Sequence, residues 1–229
     1  MPGECRLLVN DVNILAPEPC GPRFTGDWAG ANSRKLMSRV CPEIGDSGFS
    51  STWNGMIRGY LDKFPKIGEG VLIEESAQVI GDVEIGDHSS VWFNSVVRGD
   101  VYFIRIGKCS NIQDGCILHV TRDRFATVVG DYVTVAHGVI LHGCTVRSHC
   151  LVGMGAIVMD QAVIGEGSIV GAGALVTMGL QVPPRSLVLG SPATVVRELT
   201  PAEVQGIDRY AQNYLMVKEN YLKGKEPGS

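Results

Sequence analysis

The sequence predicts an all-β solenoid closed by one C-terminal α-helix, and the main observation is an aliphatic residue that recurs every six positions from Ile73 to Val176. Of the sixteen steps between successive members of this series, thirteen are six residues long. A helix requires a period near 3.6 and an amphipathic strand a period of 2. A period of six therefore indicates a short strand followed by a corner, repeated along a solenoid.

Glycine supports the same fold class, since many of the 29 glycines accompany the repeat. Seven of them lie just after or near an aliphatic position: Gly81, Gly86, Gly107, Gly130, Gly153, Gly165 and Gly171. Glycine tolerates an unusual φ and a close backbone approach, which is what a corner requires. The aliphatic residues then point inward, where each buried side chain contributes about 1.5–3 kcal/mol.

Three steps depart from the period of six. One of nine residues runs from Val97 to Ile106, and one of eleven runs from Leu118 to Val129. Both predict a loop that leaves the coil, and such loops commonly carry function. The third, from Leu141 to Val146, has only five residues and shortens the coil just after His142.

A C-terminal helix is predicted from residue 200 to residue 224. Thr200, Pro201 in the first turn and Glu203 form a capping-box pattern, and Gly224 is a plausible end. One apolar stripe follows the helical period: Val204, Ile207, Ala211, Tyr214, Val217 and Tyr221. We expect this stripe to pack on the outside of the solenoid or on a neighbouring subunit.

The chain divides into three predicted segments. Residues 1–55 are rich in Pro, Gly and Ser and have no periodicity, so we expect an irregular N-terminal extension, non-native or disordered, without a role in activity. The solenoid occupies residues 56–199, and the helix residues 200–224.

Composition excludes several classes of function. The formal net charge of −4 offers no basic surface for nucleic acid, and no apolar run is long enough to cross a membrane. The seven cysteines form no CxxC pair and no disulfide framework. A reduced, cytoplasmic protein is the simplest interpretation.

The period of six resembles that of the hexapeptide-repeat proteins, whose fold is a left-handed parallel β-helix with three hexads per coil. The resemblance supplies the hand, because the general crossover rule favours the right hand. With three hexads per coil, every third strand lies on the same face. Arg98, His119 and His142 then follow the inward residues of three adjacent strands, about 4.8 Å apart. The two histidines are thus at a separation suited to one metal ion.

His137 belongs to a different strand of this repeat. Its strand shares a second face with the strand that precedes Gln113 and Asp114. Ligands on two faces do not easily reach one ion within a single chain, so a neighbouring chain would complete the site in a symmetric homotrimer.

The ordered set of polar residues resembles the γ-class carbonic anhydrases and the related bacterial carbonic-anhydrase-like proteins. The matching motifs are "RGD" at 98–100, "NIQDG" at 111–115, and the three histidines His119, His137 and His142, and the match runs from about Tyr60 to Leu222. The resemblance implies that these histidines bind Zn²⁺, or Fe²⁺ or Co²⁺, and that the protein interconverts carbon dioxide and bicarbonate. Three imidazoles with one open position are a catalytic rather than a structural zinc set, in which the pKa of bound water falls to about 7.

The resemblance also implies roles for the remaining polar residues. Gln113 would hydrogen-bond the bound water or bicarbonate, and Asn111 would line the pocket. Arg98 and Asp114 would form a salt bridge across the subunit boundary, with Asp100 in the same network. Tyr214 either reaches the pocket from the helix or packs as an ordinary core aromatic.

One departure from the family keeps other functions open. Founding γ-class enzymes carry proton-shuttling glutamates after the positions of Asp100 and His119, whereas here Val101 follows Asp100 and Asp123 is the only acid in the loop "TRDRFAT". The enzyme is then expected to be slow. Two alternatives are a metal-binding family member with another hydrolytic or assembly role, and an acetyl-CoA-dependent hexapeptide acyltransferase.

Overall fold

The structure is a computed structural model that describes residues 56–224. The predicted N-terminal extension, residues 1–55, lies outside the described residues. Within residues 56–224 the chain forms twenty strands, β1 to β20, and one helix, α1.

The strands build a prism with three faces, and almost all neighbouring strands are parallel. The first face holds seven strands, of which β4 and β6 contribute only their first halves: β1 (Met56–Arg58), β4 (Gln78–Ile85), β6 (Val96–Ile106), β8 (Ile117–His119), β11 (Ile140–His142), β14 (Ile157–Val158) and β17 (Leu175–Val176). The second face holds the other halves of β4 and β6 and five more: β2 (Lys66–Ile67), β9 (Thr127–Val129), β12 (Thr145–Val146), β15 (Val163–Ile164) and β18 (Gln181–Val182).

The third face continues the same order around the prism. Its strands are β3 (Leu72–Ile73), β5 (Ser90–Val91), β7 (Asn111–Ile112), β10 (Thr134–Val135), β13 (Leu151–Val152), β16 (Ile169–Val170), β19 (Ser186–Gly190) and β20 (Ala193–Glu198). β20 pairs antiparallel with β19 and ends the sheet. About seven coils result, followed by α1 (Pro201–Gly224).

The core is one column of aliphatic side chains that runs the length of the prism. All seventeen positions predicted to face inward are at most 4% exposed. Each coil stacks its aliphatic residues directly on those of the next, as Leu118 does on Leu141. The predicted all-β solenoid with a C-terminal helix is confirmed.

The two longer steps differ in structure. The eleven-residue step forms a loop whose ends are joined by a bridge between Thr121 and Phe125. The nine-residue step lies within β6, and the extra residues leave the ladder there: Gly99 pairs with Gly81 and Ile104 with Val83, so residues 100–103 lie outside the regular pairing with β4. Glycine allows the close approach at this point: a Cβ on Gly99 would lie 2.5 Å from the carbonyl oxygen of Asp82.

Helix α1 begins with the predicted capping box. The backbone N–H of Thr200 donates to Glu203 Oε2 at 2.8 Å, and that of Glu203 donates to Thr200 Oγ1 at 3.3 Å. The buried stripe is rotated from the predicted one, since Val217 is exposed and Lys218 is buried. Lys218 tolerates burial because its Nζ donates to the carbonyl oxygen of Gly70 at 2.8 Å and pairs with Glu219.

The helix packs on its own prism through an aromatic cluster on the third face. Trp92 meets the rings of Tyr214 and Tyr221 edge-on, with centroid distances of 5.3 and 5.2 Å. His149 Nδ1 lies 2.7 Å from Asp208 Oδ1, farther along the prism. No helix in residues 56–224 combines the length and the apolar character that a membrane crossing requires.

Candidate metal centre

Two of the predicted ligands, His119 and His142, lie side by side on the first face. They end β8 and β11 and are paired in register across the two strands. Nδ1 of His119 is 3.2 Å from Nε2 of His142, and the ring centroids are 5.2 Å apart. The stacking predicted from the three-hexad coil is therefore present.

Asp100 and Arg98 lie beside His119. Asp100 Oδ1 is 3.1 Å from His119 Nε2, and Asp100 Oδ2 accepts a hydrogen bond from Arg98 Nη1 at 2.5 Å. Burial lowers the pKa of His119, although the hydrogen bond to Asp100 opposes this shift. A lowered pKa favours the neutral imidazole, which is the form that binds a metal ion.

Asp100 itself is held ionised. Burial would raise its pKa, but the hydrogen bonds from Arg98 and His119 outweigh burial and lower it. The carboxylate therefore stays ionised, and accepts from both neighbours, at pH values below the usual titration range of an aspartate.

A second carboxylate, Asp160, contacts His142 and was missed in the sequence analysis. Its Oδ1 is 2.6 Å from His142 Nδ1, and its Oδ2 accepts a hydrogen bond from Thr121 Oγ1 at 2.7 Å. The coil from Leu141 to its partner Val158 has 17 residues, so Asp160 lies one position beyond the residue in register with His142.

His137 occupies the corner between the third and first faces. Its Nδ1 is 2.9 Å from Asp114 Oδ2, and both side chains are more than 40% exposed. The coils stack at this corner through a bond from the N–H of Gly138 to the carbonyl oxygen of Asp114. His137 is thus presented outward, away from the pair on the first face.

The side chains of Gln113 and Asn111 are buried next to this corner. Gln113 Nε2 donates to Asn111 Oδ1, and Asn111 Nδ2 donates to Thr134 Oγ1, each at 3.0 Å. The chain of hydrogen bonds fixes the orientation of both amides on the third face.

Tyr214 brings helix α1 to the same corner. Burial raises the pKa of its hydroxyl, with added contributions from Asp114 and Cys116. Its ring packs on Trp92. Tyr214 therefore lies near Asp114, and its ring also packs helix α1 against the third face.

The predicted site residues thus form two groups on one chain. One holds His119, His142, Asp100 and Arg98, and the other holds His137, Asp114, Gln113, Asn111 and Tyr214. Among the described residues of a single chain, no three His, Cys, Asp or Glu side chains lie close enough to hold a metal ion. The predicted pair of Arg98 with Asp114 is not made within the chain, where Arg98 pairs with Asp100 and Asp114 with His137.

The first group nevertheless fits two ligands of one zinc ion. Nitrogens bound to a tetrahedral ion at about 2.0–2.1 Å are about 3.3 Å apart. The observed separation of 3.2 Å matches this value. The second ring nitrogen of each imidazole contacts a carboxylate, which is the usual surrounding of a metal-binding histidine.

Three of the four cysteines in residues 56–224 are unsuited to this chemistry. Burial raises the pKa of Cys116, Cys144 and Cys150 to about 12. A thiol must lose its proton to bind a metal or to attack a substrate. These residues therefore fill the core as small apolar side chains.

Comparison with known proteins identifies similar chains. The family model "Bacterial transferase hexapeptide (six repeats)" matches residues 64–99 and 143–177. A Methanocaldococcus jannaschii protein named "Probable carbonic anhydrase" is 52% identical over 67% of this chain and 96% of its own length. An Arabidopsis thaliana protein named "Gamma carbonic anhydrase 2, mitochondrial" is 41% identical over 68% of this chain and 58% of its own length.

Among solved structures, a Bacillus cereus protein described as a candidate acetyltransferase has a TM-score of 0.73 and 42% identity. The comparison covers 75% of this chain and 99% of the other. The hexapeptide match agrees with the left-handed form of the β-helix.

Proposed function

This chain belongs to the γ-class carbonic anhydrase family, and on that premise we propose that it is a zinc-dependent carbonate dehydratase that works as a homotrimer. The observation that carries the proposal is the His119 and His142 pair, whose facing nitrogens are 3.2 Å apart. The third ligand in this proposal is His137 of a neighbouring copy.

An apolar row on the first face, with two of its five members exposed and three partly buried, supports self-association. Its members stand one residue before the inward positions of five paired strands: Val96, Ile117, Ile140, Ile157 and Leu175. Ile117 and Ile157 are 44% and 38% exposed, and Met159 beside them is 37% exposed. Contiguous exposed apolar side chains of this kind mark protein interfaces. The row runs directly beside the histidine pair.

The separation of the two groups of site residues supports a cyclic assembly. Each chain carries a two-histidine group on one face and a one-histidine group at the adjoining corner. A head-to-tail contact joins unlike surfaces and closes into a ring when the rotation allows it. Three such contacts would give three identical sites, each with three imidazoles.

When bound, a zinc ion on three imidazoles supplies a Lewis acid that makes water nucleophilic near neutral pH. The chain's own residues would do the rest. Asp100 and Asp160 hold the two imidazoles of one chain. The buried Gln113 amide, oriented by Asn111, would hydrogen-bond the reacting oxygen, and Arg98 would attract bicarbonate.

Proton removal is the step for which this chain is least equipped. Val101 replaces the first shuttle glutamate and packs against the core. Asp123 is exposed in the loop 121–125 and is the carboxylate available there. We therefore propose a slow enzyme whose rate rises with the concentration of buffer.

The test is stopped-flow hydration of carbon dioxide on protein of known metal content, beside a His142→Ala variant. We expect hydration that follows zinc occupancy, a rate that increases with buffer, and loss of both zinc and activity in the variant. A fully metallated trimer that hydrates no carbon dioxide above buffer would contradict the activity and favour another role for the same metal site.

Acyl transfer is a second candidate because the similar Bacillus cereus structure is described as a candidate acetyltransferase. The paired histidines with their two carboxylates are superfluous to that reaction. A calorimetric titration with coenzyme A separates the two functions, and we expect no binding.

A further inference from the structure

Asp160 lies at the edge of the candidate metal centre and bonds one of its two histidines. Its side chain is 14% exposed, and its two oxygens are taken by His142 Nδ1 and Thr121 Oγ1. His142 itself is 39% exposed at the side chain. Without the bond at Nδ1, this imidazole would keep the contact of Nε2 with His119 and lose the contact that sets its tautomer.

The backbone before Asp160 is shaped to admit its carboxylate. Gly143 follows His142 with φ of +56°, and a Cβ on Gly143 would lie 2.2 Å from Asp160 Oδ1. The N–H of Gln161 donates to the carbonyl oxygen of Gly143 at 2.8 Å, which joins the two corners. This corner belongs to the five-residue step from Leu141 to Val146. The short step and the glycine together leave room for a carboxylate directly below the histidine.

The bond at Nδ1 decides which nitrogen of His142 is available. With Nδ1–H donated to Asp160, Nε2 faces Nδ1 of His119 at 3.2 Å. His119 has the same arrangement in reverse, since its Nε2 contacts Asp100. Each imidazole of the pair therefore has its own carboxylate on the side away from the other.

We propose that Asp160 is a positioning residue for the metal ligand His142, which it holds in the tautomer and orientation that direct Nε2 toward the metal. The inference rests on the proposed metal site. A carboxylate behind a ligating imidazole also increases the basicity of the ligand, and loss of such a group typically weakens metal binding about 10–100-fold.

The experiment compares zinc affinity in the full-length protein and its Asp160→Ala and Asp160→Asn variants, by competition with a chromophoric chelator. We expect Asp160→Ala to bind zinc about 10–100-fold more weakly. Asp160→Asn keeps an acceptor and should lose less. The matched control is Asp208→Asn, which alters a carboxylate bonded to the Nδ1 of a histidine outside the site, His149, and should leave affinity unchanged.

A second readout separates positioning from a general effect on folding. The visible spectrum of the Co²⁺-substituted protein should change in Asp160→Ala, while sedimentation shows the same oligomer as wild type. Gly143→Ala should also weaken zinc binding, because its Cβ displaces the carboxylate.

The outcomes are distinguishable. Wild type that binds zinc with an affinity equal to that of Asp160→Ala overturns the inference and leaves the proposed function intact. Folded wild type that binds no zinc overturns both.

Discussion

His119 Nδ1 lies 3.2 Å from Nε2 of His142, which occupies the next coil on the first face. The pairing of Leu118 with Leu141 in the core fixes this relationship, because each histidine directly follows one of the two leucines. Two imidazoles cannot both be protonated at this distance without strong repulsion, whereas a shared cation is stabilised by both. The repeat thus provides two metal ligands from the same position in two successive coils.

A site shared between copies predicts complementation between two inactive variants. His137→Ala and His142→Ala homotrimers should each lose zinc and activity. Trimers refolded from an equal mixture should recover about a quarter of the wild-type sites, because one interface in four combines two intact groups by random assembly. Zinc content and carbon dioxide hydration of the mixture check this. Recovery of no sites would contradict a shared centre.

The apolar row predicts a substitution that separates the trimer. Ile157→Glu places a charge where we expect a neighbouring copy to pack, so the protein should sediment as a monomer and bind zinc poorly. Its far-ultraviolet circular dichroism should stay unchanged because Ile157 points away from the core. Gln181→Glu, an exposed change on the second face, is the control. A trimeric Ile157→Glu would place the interface elsewhere.

Two glycines should respond oppositely to alanine. Gly99→Ala forces a Cβ to within 2.5 Å of the Asp82 carbonyl oxygen, so overpacking should destabilise the protein by about 1–3 kcal/mol. Gly206 lies inside α1, where an added Cβ meets nothing within 4 Å. Gly206→Ala should stabilise the protein by about 0.5–1 kcal/mol. Denaturant unfolding at one fixed protein concentration measures both, and equal midpoints for the two variants would contradict the reasoning.

Glu203 predicts a pH dependence of helix α1 at low pH. The hydrogen bonds from Arg197 and then from Thr200 lower its pKa from the ordinary 4.5 to about 2. A carboxylate whose pKa is lower in the folded state stabilises that state fully at pH values above its unfolded pKa. This stabilisation is lost as pH falls from about 4.5 to about 2. NMR titration of the Glu203 side chain should place its midpoint well below 4.5. Glu203→Gln should reduce the acid sensitivity of the helix signal, and a midpoint near 4.5 would refute the assignment.

The sequence predicted the solenoid well because a period of six directly encodes its geometry. Thirteen equal steps leave few alternatives, and the same register places His119 against His142. Sequence reasoning failed where one coil contacts the next at a corner. Asp160 was missed because a five-residue step shifts its position relative to His142. Val217 was misplaced because burial of Lys218 depends on a carbonyl acceptor at Gly70, which no helical period reveals.

Helix α1 has a consequence for how the prism unfolds. A solenoid contacts only its nearest coils and can therefore open one coil at a time from an end. Here Asp208 holds the coil of His149, and Lys218 holds the coil of Gly70, four coils back toward the N-terminus. Opening any coil between them must also break the contacts of the helix. These two helix contacts couple the coils on either side of the two histidines, so the part of the prism that holds the site opens as one cooperative unit.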